Sequence, residues 1–264
     1  MDFIQDELLP AEQEVSIDDY RVIFMSQRCI TEKGANLLLD WVRRGGTLVG
    51  IGSIGQFNEW EQPWPMMIQA FGFSALSVEF DSGTNTLKIP SLGVTLRNEK
   101  AMRGRVAVSD AKVEAVFDDG SPAITRKALG QGQLIYVAWG PGNAYHRMEN
   151  PSDGWAKKMR LLTGMQMAVR EVVKPWLMAA GPPQCETDHP LVSARLIVSK
   201  QGSAVFLVNS SGEPQLPAVQ VILRGVPHSA VTSLMRGPLP VELKDGALRV
   251  SLPMGLTDVL KCHD

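Results

Sequence analysis

The sequence predicts an α/β fold with a mostly parallel sheet, followed by a second, smaller domain that is an antiparallel β-sandwich. Residues 20–26 and 47–51 are short apolar runs on either side of a helical segment at 35–44. This strand–helix–strand order, with uninterrupted apolar strands, is typical of a parallel sheet buried on both faces. In the last third of the chain, short apolar runs alternate with Gly, Pro, Ser and Asn at sandwich-like intervals. We therefore predict an α/β domain at 1–178 and a β-sandwich domain at 179–264.

The first helix is predicted by its periodicity and by signals at both ends. Thr31 is a suitable N-cap, and apolar residues recur at helical spacing through Leu38, Trp41 and Val42. The glycine pair at 45–46 ends the helix before the next strand begins. The helix and its two flanking strands thus form one β-α-β unit.

Later segments complete the first domain and mark its end. Residues 112–129 are predicted as a hairpin and 133–139 as another apolar strand. A helical pattern follows at 157–174, and we expect Pro175 to end it. The Gly- and Pro-containing segment 179–183 is the best candidate linker between the two domains.

Composition and charge exclude several classes of partner. The formal net charge of −2 leaves no basic excess to neutralise nucleic-acid phosphates. No stretch reaches the roughly 18 consecutive apolar residues of a membrane helix, and the acidic N-terminus is unlike a signal peptide. We therefore expect a cytoplasmic location by default. Because Cys29, Cys185 and Cys262 are far apart, we expect no zinc site, disulfide framework or cofactor.

Several segments, taken in order, carry a resemblance to a known family. They are WVRRGG at 41–46, TLVGIG at 47–52, GQGQLIYVAWGPG at 130–142, VFLVNSSGEP at 205–214 and SLPMGLTDVL at 251–260. Their order and spacing resemble the trimerisation domain of family 42 β-galactosidases together with its small C-terminal sandwich. The N-terminal part of this pattern, from residue 19 to 73, resembles the class I glutamine amidotransferase-like fold.

The resemblance implies a flavodoxin-like, amidotransferase-like sheet and a role in oligomerisation or as an accessory module of a carbohydrate-active protein. The implied partner is another copy of the chain or a catalytic glycoside hydrolase. Such enzymes carry their catalytic carboxylates on a preceding barrel of roughly 200 residues or more, and no segment ahead of the resembling motifs is long enough to be one. Only 19 residues precede Tyr20, so we expect the sheet to lack an edge strand or to continue outside the chain.

The bend after the strand at 47–51 is where an amidotransferase of this class would carry its nucleophile. The motif is GxCxGxQ, in which small flanking residues permit a strained turn and backbone amides form the oxyanion hole. The matching segment here is GIGSIGQ at 50–56, with Gly52 at the cysteine position and Ser53 one residue later. Glycine has no nucleophilic side chain, so we predict a non-catalytic chain, although the sequence does not settle whether it is an enzyme.

An alternative hypothesis is a hydrolase or amidase that uses Cys29 or Ser53 as nucleophile. Cys29 follows a strand end, and His146 is the one histidine of the predicted α/β domain. A nucleophile and a base must lie within hydrogen-bond reach of each other. In the fold that the sequence resembles, the loops that carry Cys29 and His146 lie at the same edge of the sheet, which would allow this pair to form.

Aromatic and polar residues gather in the loops after two predicted strands. Such residues are enriched at protein interfaces, and a flat aromatic ring beside polar groups also suits sugar stacking. Packing in the core is the third explanation, so protein interface, carbohydrate contact and core remain open. The predicted ligand or interface residues are Gln56, Asn58, Trp60, Trp64, Asn143, Tyr145, His146 and Arg147.

Overall fold

A computed structural model describes residues 16–80, 84–99, 102–142, 164–199, 202–226 and 228–263. Of these, 16–142 and 164–181 belong to one compact unit and 182–263 to another. No helix among the described residues is long and apolar enough to cross a membrane.

The first unit contains strands and helices in irregular alternation. Its helices are α1 (Glu32–Arg43), α2 (Met66–Ala70) and α3 (Gly164–Met178). Its strands are β1 (Val22–Met25), β2 (Thr47–Ile51), β3 (Phe73–Glu79), β4 (Thr84–Ile89), β5 (Val94–Glu99), β6 (Arg103–Val108), β7 (Lys112–Phe117), β8 (Pro122–Leu129) and β9 (Gly132–Val137).

The main sheet of this unit has seven strands in the order β1-β2-β9-β8-β7-β4-β5, while β3 and β6 pair separately. Only β1, β2 and β9 run parallel, and every other neighbouring pair is antiparallel. The sheet curls into a mixed half-barrel in a protein that is mostly β. The predicted flavodoxin-like, amidotransferase-like α/β fold with a mostly parallel sheet is therefore wrong.

The pairing of the strands changes from parallel to antiparallel at the turn between β8 and β9. Two residues, Gly130 and Gln131, join these strands, and so short a connection forces antiparallel pairing. Gly130 has φ +61°, and a Cβ there would lie 2.6 Å from the carbonyl oxygen of Arg43. Glycine is thus required both by backbone conformation and by the close approach to the end of α1.

Helix α1 follows the signals in the sequence. The Thr31 hydroxyl accepts a hydrogen bond from the Gly34 amide at 3.0 Å, which caps the first turn. Leu38 and Val42 are buried against the sheet, and the indole of Trp41 donates to the Tyr20 carbonyl at 3.1 Å. The helix therefore covers the parallel part of the sheet with its apolar face.

Helix α3 departs from the prediction at its C-terminal end. Pro175 lies inside the helix, which continues to Met178, whereas the sequence predicted an end at the proline. The ring removes one backbone donor. Trp176 is buried in the core of the unit, and this packing holds the turn that follows the proline. Residues 157–163 of the predicted helix lie outside the described residues.

The second unit consists of two antiparallel sheets. Its strands are β10 (Cys185–Thr187), β11 (Val192–Ser199), β12 (Gly202–Asn209), β13 (Leu216–Arg224), β14 (Ala230–Ser233), β15 (Gly237–Leu239), β16 (Val241–Lys244), β17 (Ala247–Met254) and β18 (Thr257–His263). One sheet has the order β10-β13-β17-β16 and the other β11-β12-β18-β14-β15. Buried Val205 and Leu260 of the five-stranded sheet share a core with Val221 and Val250 of the four-stranded sheet.

A buried arginine is held by polar contacts at the start of β6. The Arg103 guanidinium donates to the Asp119 carboxylate and to the Ser121 hydroxyl, each at 2.5 Å, and lies 4.2 Å from the centre of the Phe117 ring. Burial opposes ionisation of Asp119, but hydrogen bonds from Ser121 and Arg103 outweigh it and hold the pKa of Asp119 well below its usual range. The network therefore fixes the β7–β8 turn to β6.

We expect Asp119→Asn to lower the free energy of unfolding at pH 7 by about 1–3 kcal/mol, because it removes the counter-charge of a buried guanidinium. The lower part of this range applies because the Asp119 side chain is 45% exposed and screened by solvent. The contribution of the depressed pKa is fully present above the unfolded-state pKa near 3.8 and is lost as the pH falls through the lower folded-state pKa. Urea unfolding at pH 7 and pH 2 measures the difference.

The matched control for this variant is Asp118→Asn, which makes the same charge change at an exposed neighbour. We expect the control to change stability little at either pH. Equal destabilisation by the two variants, or a deficit for Asp119→Asn that persists unchanged at pH 2, would contradict the assigned role of Asp119.

Candidate functional site

Side chains from other parts of the first unit fill the space around the bend after β2. Gly52 has φ +62°, its amide donates to the Val137 carbonyl at 2.9 Å, and its own carbonyl accepts from the Tyr136 hydroxyl at 3.0 Å. A Cβ at position 52 would lie 2.2 Å from the sulfur of Met102. The Met102 thioether therefore occupies the space into which a nucleophile at this bend would project.

Burial makes the Tyr136 contact a fixed part of the bend. The phenol is fully buried, and burial raises its pKa above the ordinary range, so it stays a neutral donor. Its ring meets Phe73 edge-on at 5.1 Å between ring centres. Gly104 also leaves room for the phenol, because a Cβ there would lie 1.8 Å from the Tyr136 oxygen.

The structure brings the loops after β1 and β2 together, because these two strands are parallel neighbours in the sheet. The Gly55 amide donates to the Gln27 carbonyl at 2.8 Å, and the Ile30 amide donates to the Phe57 carbonyl at 3.0 Å. Cys29, which is half-buried, forms a parallel bridge with Phe57 through its backbone. These bonds fix the loop that carries Cys29 against the loop that begins at Ser53.

The proposed nucleophile–base pairs remain predictions. Ser53 and Cys29 are both half-buried, whereas His146 lies outside the described residues. The other two thiols belong to the second unit. Burial, with Cys262 and Glu186 nearby, raises the pKa of Cys185 to about 12, and burial also raises the pKa of Cys262. These two thiols stay protonated at neutral pH, a state that is poorly nucleophilic.

Residues 57–63 form a loop that we call the Trp60 loop. The Asn58 side-chain oxygen accepts from the Trp60 amide at 3.0 Å and from the Gln62 amide at 2.9 Å. The Asn58 amide donates to the Gln62 carbonyl at 3.0 Å, and Glu61 adopts φ +57° at the tip. The loop is thus closed around Asn58, which is therefore a structural residue as well as a predicted site residue.

The Trp60 side chain is 76% exposed at the tip of this loop. An indole is large and mostly apolar. Burying it would contribute roughly 2 kcal/mol to stability, and this contribution is absent while the side chain stays in water. Core packing is excluded for Trp60. The guanidinium of Arg28 lies over the Phe57 ring, 4.4 Å from its centre, at the base of the loop.

The remaining predicted site residues have different environments. The Gln56 side-chain amide donates to the Leu76 carbonyl at 2.9 Å, which ties the loop to β3. Trp64 is half-buried and packs against the core of the first unit. Gln56 and Trp64, which flank the Trp60 loop, thus fix its two ends to β3 and to the core of the first unit. Asn143, Tyr145, His146 and Arg147 lie outside the described residues.

A polar groove of about 570 Å³ runs beside the Trp60 loop along the outer side of α1. Most of its lining side chains carry a charge, an amide or a hydroxyl, and Glu59 is the contribution of the loop. The groove is lined by Thr31, Glu32, Lys33, Asn36, Leu37, Asp40 and Glu59. Within the described residues, no group of three or more His, Cys, Asp or Glu side chains is arranged to hold a metal ion.

The five-stranded sheet of the second unit exposes an apolar face that the sequence analysis missed. Phe206 and Val208 on β12 are 45% and 42% exposed. Phe206 pairs across the sheet with Val259 on β18, and Leu234 joins the same region through its amide, which donates to the Val259 carbonyl at 2.9 Å. We call Phe206, Val208, Leu234 and Val259 the outer apolar face.

A signal for this face was present in the sequence. Residues 205–208 read Val-Phe-Leu-Val, an uninterrupted apolar run in a strand of an antiparallel sandwich. Such a strand normally alternates apolar and polar residues, because one side faces water. Val205 and Leu207 are buried, so the outward pair is left apolar without a core to explain it.

Comparison with solved structures finds the fold of this chain within β-galactosidases. A GH42 β-galactosidase from G. stearothermophilus matches at TM-score 0.61 and 16% identity, over 94% of this chain and 32% of that one. The β-galactosidase from Bacillus circulans sp. alkalophilus matches at TM-score 0.65 and 16% identity, over 94% and 34%. The enzyme from Rahnella sp. R3 matches at TM-score 0.61 and 17% identity, over 94% and 33%.

The chain spans about a third of the length of these enzymes. The β-galactosidase part of the resemblance is confirmed as a likeness of fold, whereas the amidotransferase-like part is not supported. No family model and no curated protein matches the sequence.

We expect Asn58→Ala to open the Trp60 loop, because it removes the oxygen that accepts from two loop amides. Hydrogen exchange at the Trp60 and Gln62 amides, followed by NMR, should accelerate by about tenfold or more, the factor for a lost bond of roughly 1.4 kcal/mol. Asn58→Asp keeps the accepting oxygen and is the control. Unchanged exchange in Asn58→Ala would show that the loop is held by other contacts.

Proposed function

We propose that this chain is a non-catalytic oligomerisation or accessory module that acts with β-galactosidase-like proteins. The observation that carries the proposal is the outer apolar face, whose Phe206 and Val208 leave large apolar surfaces in water. Apolar surface of this kind marks sites that another protein covers. The likeness of fold to about a third of a β-galactosidase supports the choice of protein class.

The Trp60 loop supports the same proposal from the first unit. Tryptophan is enriched among the residues that contribute most to protein–protein binding, especially where a rigid backbone presents it. The Asn58 hydrogen bonds supply that rigidity before any partner arrives. Trp60 would therefore enter a pocket of a partner without much loss of conformational entropy.

The bend after β2 supports the non-catalytic part of the proposal. Gly52 has no reactive side chain, and Met102 occupies the adjoining space. A cytoplasmic location also belongs to this proposal, and it fits the free thiols of Cys29, Cys185 and Cys262.

The proposed partner is a second copy of the chain or a catalytic glycoside hydrolase. A second copy can use the same face on both subunits, as two-fold symmetric dimers do. A catalytic partner would instead cover the face with a different surface. Light scattering of the purified chain, alone and mixed with a β-galactosidase catalytic domain, distinguishes these two forms of the proposal.

We expect Phe206→Lys to weaken association by about tenfold or more, because a charge would be buried where an aromatic ring was. Sedimentation equilibrium over a range of concentrations measures the change. The control is Leu243→Lys, an exposed leucine on the four-stranded sheet. A chain that stays monomeric at high micromolar concentration and binds no catalytic domain would refute the proposed function.

A second candidate function is carbohydrate binding at the Trp60 loop. The observation that favours it is the polar groove that Glu59 shares with α1, next to the exposed indole. A sugar ring can stack on an aromatic face while its hydroxyls bond to carboxylates and amides. The groove offers such groups from Glu32, Asn36 and Asp40.

We expect β-linked galacto-oligosaccharides, titrated by calorimetry, to bind this site and to lose about tenfold in affinity in Trp60→Ala. Phe80→Ala is the control, because Phe80 is an equally exposed aromatic residue outside the loop. Absence of binding by the unaltered chain, or equal losses in both variants, would exclude this function.

A further inference from the structure

A second cavity of about 450 Å³ lies in the first unit, away from the Trp60 loop. It opens between the strands β7 and β8, the end of β4 and helix α3. Its size falls within the range of small-molecule sites. All of its lining residues are described: Ile89, Pro90, Ser91, Leu92, Lys112, Val113, Glu114, Ala115, Ile124, Arg126, Val172, Pro175 and Trp176.

The floor of the cavity is apolar. Ala115, Ile124, Val172 and Trp176 are all buried side chains of the core, and together they form a packed apolar surface. Burying a compact apolar body there would gain free energy in proportion to the area covered. This floor selects for a ligand with an aromatic or branched hydrocarbon part.

The mouth of the cavity carries excess positive charge. Lys112 and Arg126 lie directly opposite each other on neighbouring strands, a placement that is unfavourable for two cations. The Glu114 carboxylate offsets one of them, because Arg126 binds its two oxygens through Nε at 2.7 Å and Nη2 at 3.2 Å. The Lys112 charge is left beside the apolar floor.

A β-bulge places Lys112 and Ala115 on the same side of the sheet, opposite Arg126 and Ile124. The β7–β8 register shifts between Val113 and Ala115, so Glu114 has no partner on β8. As a result four consecutive residues of β7, from 112 to 115, line the cavity, whereas a regular strand would offer alternate residues only. Bulges recur beside binding sites because they redirect side chains in this way.

We propose that this cavity binds a small amphipathic anion. Its apolar body lies on the floor of Ala115, Ile124 and Trp176, and its carboxylate, sulfonate or phosphate group pairs with Lys112. The bound anion offsets the charge that Glu114 leaves uncompensated. This site is independent of the outer apolar face and of the Trp60 loop.

A pair of fluorescent probes tests the proposal. 8-Anilinonaphthalene-1-sulfonate carries the required negative group, and N-phenyl-1-naphthylamine has the same aromatic body without it. We expect one sulfonate to bind per chain, about tenfold more tightly than the neutral analogue, because only the former makes a charge-assisted contact. Fluorescence titration of the full chain measures both affinities.

Two variants, each of a residue that lines the cavity, test whether the probe binds there. Lys112→Gln should remove the preference for the sulfonate, while Lys88→Gln, at an exposed lysine outside the lining, should retain it. Val113→Tyr should reduce the affinity for both probes, because the larger side chain stands in the cavity mouth. Circular dichroism confirms that each variant is folded.

Each outcome decides the proposal. Titrations are repeated with Phe206→Lys, since the outer apolar face also offers a surface to an aromatic dye. Binding that disappears in Phe206→Lys and persists in Val113→Tyr would overturn the cavity site. Equal affinity for the charged and the neutral probe would overturn the requirement for an anion.

Discussion

The hydrogen bond from the Tyr136 hydroxyl to the Gly52 carbonyl is the constraint on which the candidate site depends. It joins the end of β9 to the bend after β2, inside the parallel part of the sheet. Because this bond fixes the bend, the chain leaves β2 in one direction, and the bond from the Gly55 amide to the Gln27 carbonyl holds the next loop against the first. The position of the Trp60 loop thus depends on the buried Tyr136.

The bend after β2 also leaves no space for the side chain of a nucleophile. A nucleophile at a strand-to-helix bend must project into a cavity and find a base there. Here the bend contains glycine, and the Met102 side chain fills the space above it. The polar groups near the bend serve the fold: the Gln56 amide bonds to β3, and the Asn58 oxygen closes the Trp60 loop.

The unusual side chains of this protein lie on its surface and not in its core. The charged groups of the described core are paired for stability, as Arg103 is with Asp119. Apolar side chains remain in water at the Trp60 loop and at the outer apolar face. These exposed apolar side chains are the observations on which the proposed binding of a partner rests, and the cavity beside Lys112 is the observation behind the proposed ligand site.

The sequence by itself determined the local elements, because their signals lie within a few residues: the Thr31 cap, the apolar stripe of α1 and the strand at 47–51 all occur as predicted. It also showed that glycine occupies the bend. Only the tertiary structure decided that β8 pairs antiparallel to β9 and that β7, β4 and β5 continue beyond it in alternating directions, which gives a curled mixed sheet instead of a flavodoxin-like one. The order of the strands in the sheet and the filling of space by Met102 depend on contacts between residues far apart in the chain, and local patterns do not encode such contacts.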